Sequence, residues 1–293
     1  TLDAGSSFLD HLQLYINPVN CLGYIEALKN QPIQLYIHIP DHYNYGGALK
    51  INKALSKEHV KVLEANDFEH LADSPFIFSP ELKSYNFKNA KTDFYIHING
   101  ANTLDINRFI SDVNAYTETQ TQIFGELPCD DYHYLIHFLP WNYRHGVEHS
   151  NSTVIVEGPG NEFHTEENYR DLLAICSHEL FHLWNIKRIR PSEMWPYDYT
   201  KENYSKLGYV YEGITTYYGD YALLKSKVFS FQNYLEQFNK DLQRHFDNEG
   251  RYNYSVAESY WDTCLEGYVQ GSPGRKVSIY VEGILYELWF VLF

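Results

Sequence analysis

The stretch 165–188, TEENYRDLLAICSHELFHLWNIKR, holds two histidines four residues apart around a glutamate, and it constrains the fold more than any other segment. Leu172, Leu173, Ile175, Cys176, Leu180 and Leu183 give it an apolar body at helical spacing, so it reads as a helix that Pro191 ends. On a helix, residues 178 and 182 project from nearly the same face, one turn above the other. Two readings follow. The histidines are either paired ligands to one metal ion or polar residues of an amphipathic helix, solvated or satisfied within the core.

The glutamate favours the first. His178-Glu179-x-x-His182 is the HExxH arrangement of metallopeptidases: two imidazoles hold zinc, and the carboxylate beside the first takes a proton from an activated water and returns it to the leaving amine. A third ligand has to come from elsewhere, because a catalytic zinc takes three protein ligands and keeps one position open. Glu193 stands between two prolines in RPSEMWPYD, and Glu202 lies in a polar, exposed stretch. Glu212, thirty positions beyond His182, opens the segment YEGITTYYGDY, whose Ile214, Tyr217, Tyr218 and Tyr221 can pack it; helix-dipole stabilisation is its structural alternative.

At this point a resemblance becomes specific. SHELFHLWNIKRIRP followed by YEGITTYY is similar to the glycyl aminopeptidase family of zinc metallopeptidases, a gluzincin clan related to the alanyl aminopeptidases, whose members read HE-x-x-H-T-W-N-x-K-R-I-x-P and then E-G-F-T-x-Y-Y. Leu183 and Ile214 stand where Thr and Phe are usual. The resemblance implies one zinc ion on His178, His182 and Glu212, with Glu179 as general base. HGVEHSNSTV, His145 to Val154, resembles the family's G-G-L-E-H-R-N-S-T, which implies that Glu148, beside Gly146, binds the free α-amino group of a peptide and so restricts cleavage to the first bond. His145 replaces the first glycine there. VSIYVEGILYEL resembles the clan's Y-x-K-G helix start, which implies that Tyr280 donates to the developing oxyanion; Glu282 takes the place of the usual Lys. LADSPF, Leu71 to Phe76, matches the segment that closes the family's β domain.

The expected fold is therefore α+β: an amino-terminal β-rich domain over residues 1–90, then a thermolysin-like α/β catalytic domain over 91–293. HLQLYINP, IQLYIHIP and FYIHING read as strands, and TLDINRFISDVNAYTETQTQIFGE as a helix capped by Asp105 with Ile106, Phe109, Ile110 and Val113 on its apolar face. YHYLIHFLP reads as a strand and YRHGVEHSNSTVIVEGPG as a loop. The family resemblance implies that longer relatives carry more of the β domain and a PDZ-like region after the catalytic part. The expected activity is removal of an amino-terminal residue, Gly or Ala preferred, from a peptide; a zinc endopeptidase and a silent peptide-binding homologue are the alternatives.

Composition excludes other classes. A net charge of −15 disfavours nucleic acid and anionic membrane as partners. Cys21, Cys129, Cys176 and Cys264 form no framework, and TLDAGSSFLDHLQ has no basic region followed by an apolar run, so a reduced, cytoplasmic setting is expected. The run VEGILYELWFVLF is too short to span a bilayer and reads as a buried helix. His149 and His164 read as polar surface, and Lys187–Pro191 as a basic cluster facing the helix end.

Overall fold

The computed structural model describes residues 2–253 together with 255, 257 and 258. In chain order its strands and helices are β1 (Phe8–Leu9), β2 (Leu14–Ile16), β3 (Ile33–His38), β4 (Asn44–Gly47), β5 (Lys50–Ile51), β6 (Val60–Ala65), α1 (Phe68–Ala72), β7 (Phe76–Ser79), β8 (Lys83–Asn89), β9 (Thr92–Asn99), α2 (Ile106–Phe124), β10 (Asp131–Phe138), β11 (Tyr143–Glu148), β12 (Ser152–Gly158), α3 (Glu166–Phe181), α4 (Ile214–Lys225) and α5 (Phe231–Asp247). The molecule is thus a β-rich amino-terminal region followed by a helical one, the α+β order expected from the texture of the sequence.

Two compact units divide the chain: residues 1–114 with 127–176, and residues 115–126 with everything from 177 on. All strands named above belong to the first unit. The boundary expected near residue 90 falls in the turn between β8 and β9, which pair antiparallel. Their sheet has the order β11-β12-β10-β9-β8, with β10 parallel to both β9 and β12 and the two edges antiparallel. Two smaller sheets, β1-β2-β7-β4 and β3-β6-β5, complete the unit. The small sheet packs Tyr15 and Ile77 against Leu135, Leu139, Val154 and Val156 of the large one in a single buried cluster.

Local chemistry explains these elements. Asp105 caps α2 by accepting from the Asn107 and Arg108 N–H groups, and Phe109 and Val113 are fully buried on its apolar face. The segment expected as a loop after β10 is instead the β11–β12 hairpin. Six register pairs, from Tyr143↔Gly158 to Glu148↔Thr153, align it, because VIV in β12 is buried and its neighbour supplies the antiparallel partner. His145, the departure from the family's glycine, is held by Asp3, whose carboxylate lies 3.0 Å from His145 Nδ1 and also accepts from the Tyr143 hydroxyl.

The central strands also bury three histidines that sequence reading did not single out. His97 on β9 and His133 on β10 stack and share a bond between His97 Nε2 and His133 Nδ1 at 3.1 Å, while Ser84 Oγ meets His97 Nδ1 at 2.8 Å. His137 lies against Tyr15, and neither of its ring nitrogens has a hydrogen-bond partner. Burial pushes all three well below the ordinary histidine value: His97, aided by the charge of His133, to about 3, His133 to about 3 and His137 to about 4. The unfolded chain therefore binds more protons than the folded one between pH 6.5 and 3. The stability that these neutral rings allow is complete above 6.5 and lost as pH falls through that window. At pH 5 the loss is about 2 kcal/mol per histidine. Urea unfolding is expected to show a midpoint markedly lower at pH 5 than at 7.5, and His137→Phe is expected to flatten that slope. A midpoint unchanged between the two pH values would contradict the burial of these rings.

Candidate metal centre

α3 ends at Phe181, ten residues before Pro191, so the helix is shorter than its apolar pattern suggests. The chain tightens there: Leu183 N–H donates to the Leu180 carbonyl, and Trp184 and Asn185 N–H both donate to the Phe181 carbonyl. Ile186 takes a left-handed φ of 109°, and Lys187 N–H returns to the His182 carbonyl. Arg188 donates to the Leu183 carbonyl at 3.0 Å, within the turn that follows the helix. This turn packs through Trp184, whose ring stacks on Phe124 and whose Nε1 donates to the Glu126 carbonyl.

The turn brings one main-chain carbonyl to the second histidine. Nδ1 of His182 lies 2.9 Å from the Asn185 carbonyl oxygen, which can only accept, so the proton sits on Nδ1 and Nε2 presents its lone pair. His178 is fixed in the same sense. Its Nδ1 lies 3.2 Å from the Thr216 hydroxyl, whose own hydrogen goes to the Glu212 carbonyl at 2.9 Å, so that oxygen accepts from the ring.

Glu212 comes from a second helix. Tyr209–Gly213 forms a π-helical turn that runs directly into α4. Glu212 Oε2 lies 3.3 Å from His178 Nε2 and 3.5 Å from His182 Nε2, and the two Nε2 atoms are 2.9 Å apart. Burial alone would push the Glu212 carboxyl up; the facing imidazoles of His182 and His178 outweigh it and hold the group ionised, well below the usual carboxylate range.

A metal fits this arrangement. Bond lengths of about 2.0–2.2 Å in a tetrahedral zinc site require ligand atoms about 3.3 Å apart, and the three separations here bracket that value. When both rings are neutral and carry their protons on Nδ1, the two Nε2 lone pairs and the carboxylate oxygen form a donor set for a cation, which would take the place of the ring proton that otherwise pairs with Glu212. Among the described residues, the clusters able to hold an ion include His178, His182 and Glu212, and also the exposed Asp41, Glu58 and His59.

The backbones of α3 and α4 approach closely behind the ligands. Ser177 Oγ donates to the Gly219 carbonyl at 2.7 Å, and Gln120 Nε2 donates to the Ser177 carbonyl and hydroxyl. A Cβ on Gly219 would stand 3.2 Å from both Cα and N of His178. Phe181 stacks on Tyr218 to close the same face.

Of the other residues expected at the site, Glu179 is buried beside His178, with a carboxylate oxygen within 4.8 Å of a His182 ring nitrogen. Gly146 and Glu148 lie on β11, in the first unit; both are partly buried. The end of that strand is tied to Asp73 of the LADSPF segment, which meets His149 Nδ1 at 3.0 Å and accepts from the Ser150 N–H and hydroxyl. His149 is thus a buried carboxylate partner and not the surface residue expected, whereas His164 is exposed. Tyr280 lies outside the described residues. Sequence reading missed Asn185, because a bond from a ring nitrogen to a backbone carbonyl leaves no residue-type signal, and Thr216, because one hydroxyl in a segment with two adjacent threonines does not show which faces the histidine.

A mixed α/β chain with two histidines and a glutamate converging from consecutive helices has the makings of a metalloprotein. Comparison with known proteins gives the family. Residues 171–286 match the M61 glycyl aminopeptidase family and residues 1–80 match the Peptidase M61 N-terminal domain. The chain belongs to the M61 glycyl aminopeptidase family. An aminopeptidase N family protein from Idiomarina loihiensis superposes with a TM-score of 0.87 at 28% identity over 98% of this chain, which spans 50% of that structure. An M1 zinc metallopeptidase from Deinococcus radiodurans, in mutant form, superposes over 72% of this chain and 44% of its own at 11% identity, with a TM-score of 0.47. Among curated proteins, no sequence match was found. No helix among the described residues is long and apolar enough to cross a membrane.

Proposed function

We propose that this chain carries the active site of a zinc aminopeptidase that removes the first residue of a peptide, with Gly and Ala preferred. The convergence of His178 Nε2, His182 Nε2 and Glu212 Oε2, with both imidazoles tautomerically fixed, is the observation that carries this reading. Family membership supports peptide hydrolysis, and the donor set of two nitrogens and one oxygen suits zinc.

A zinc ion held there would supply Lewis-acid activation of a water and of the scissile carbonyl. The residues of the chain do the rest. Glu179 takes a proton from water as it attacks and delivers it to the leaving amine, so one carboxylate serves as base and then as acid. Its burial limits competition from bulk solvent for that role. Glu148 holds the peptide's α-ammonium, which sets the reacting bond one residue from the end. In this reading Tyr280 donates to the oxyanion.

Amino-terminal acetylation tests the reading directly. Gly- and Ala-arylamides are expected to turn over, and their N-acetylated forms to resist. Glu148→Ala is expected to raise KM for the free-amine substrates roughly tenfold to a hundredfold, the loss of one charge-assisted hydrogen bond. Equal cleavage of acetylated and free substrates would replace the aminopeptidase with an endopeptidase, and zinc binding without any turnover would leave a binding module.

A further inference from the structure

We propose that Asn185 is a positioning residue of the metal centre, acting on two ligands at once through different atoms. The proposal rests on the zinc site argued above. The Asn185 carbonyl accepts the Nδ1–H of His182 at 2.9 Å and so aims Nε2 at the ion. Its side chain, buried at 8% exposure, reaches the helix that bears the third ligand: Nδ2 lies 3.2 Å from the Val210 carbonyl, 3.4 Å from the Tyr211 carbonyl and 3.0 Å from the Thr215 hydroxyl.

Those acceptors flank Glu212 on both sides. The residue sits in the π-helical turn Tyr209–Gly213, a rare geometry that contacts from outside the helix can help to hold. The amide hydrogens of Asn185 do so on the Val210 and Tyr211 carbonyls. Relaxed to a regular α turn, the same backbone would rotate the Glu212 side chain about the helix axis and away from the two imidazoles. Asn185 therefore couples the turn after α3 to the start of α4, and the spacing of all three ligand atoms depends on it.

The isosteric change Asn185→Asp tests this. It keeps the backbone carbonyl and the side-chain volume but sets carboxylate oxygens against two carbonyl oxygens. Zinc affinity of the whole chain, measured by competition with a chromophoric chelator, is expected to fall ten- to a hundredfold. Saturating zinc is expected to restore much of the lost turnover. A residue with a structural role alone would lower the melting temperature of the metal-free protein and leave the zinc affinity of the folded protein unchanged. Asn185→Ala, which removes the amide and keeps the backbone carbonyl, serves where Asn185→Asp does not fold, with an expected loss of two- to tenfold. Affinity within twofold of the parent in either folded variant overturns the proposal. If the parent itself binds no zinc while His182→Ala behaves identically, the zinc reading fails and this proposal with it; if the parent binds zinc and His182→Ala does not, the affinity of the Asn185 variant decides alone.

Discussion

Glu179→Gln is expected to retain one zinc per chain and to lose turnover of Gly- and Ala-arylamides by about 10²- to 10⁴-fold, the usual worth of a positioned general base. The substitution preserves shape and hydrogen-bonding capacity but removes the group that accepts the water proton. The three converging ligand atoms come from His178, His182 and Glu212, so metal content should not change. Metal analysis and initial rates on the same preparation check both halves. Activity above about one-tenth of the parent would discard Glu179 as base, whereas loss of zinc would mean that it acts on the ligands instead.

Removal of a ligand is expected to be equally severe and different in kind. His182→Ala deletes one donor and its tie to Asn185, and should weaken zinc by about 3 kcal/mol or more, over a hundredfold, as expected when a strong site loses one ligand. Glu212→Gln should act the same way, because it replaces an ionised carboxylate by a neutral amide between two imidazoles. Turnover in both should vanish at limiting metal. Dialysis against a chelator should abolish turnover of the parent, and added zinc should restore it. Unchanged zinc affinity in His182→Ala would end the metal reading outright.

How far the sequence revealed these features varied with the physics behind each. Histidines four apart in an apolar frame gave the ligand pair, since periodicity encodes which residues share a face. The third carboxylate is thirty residues away, and no period links it to the pair; motif resemblance and the poor surroundings of Glu193 and Glu202 selected it. The end of α3 was not legible, because the apolar pattern continues through Leu183 while the break depends on backbone bonds around Ile186. The π turn at Glu212 escaped for the same reason. The β11–β12 hairpin was read as loop because Gly146 and the Asn151-Ser152 turn chemistry masked a strand whose support comes from β12. A signal for the buried histidines did exist: FYIHIN and YHYLIHF place them inside runs of β-branched and aromatic residues, the pattern of strands covered on both faces.

The close approach at Gly219 has a consequence for protein engineering. A designer transplanting this ion cage to an artificial helical hairpin would have to copy the inter-axis gap along with the three chelating side chains. A methyl group there would stand 3.2 Å from the backbone of the first histidine, so the two rods would have to give by a few tenths of an ångström, and the ligand separations with them.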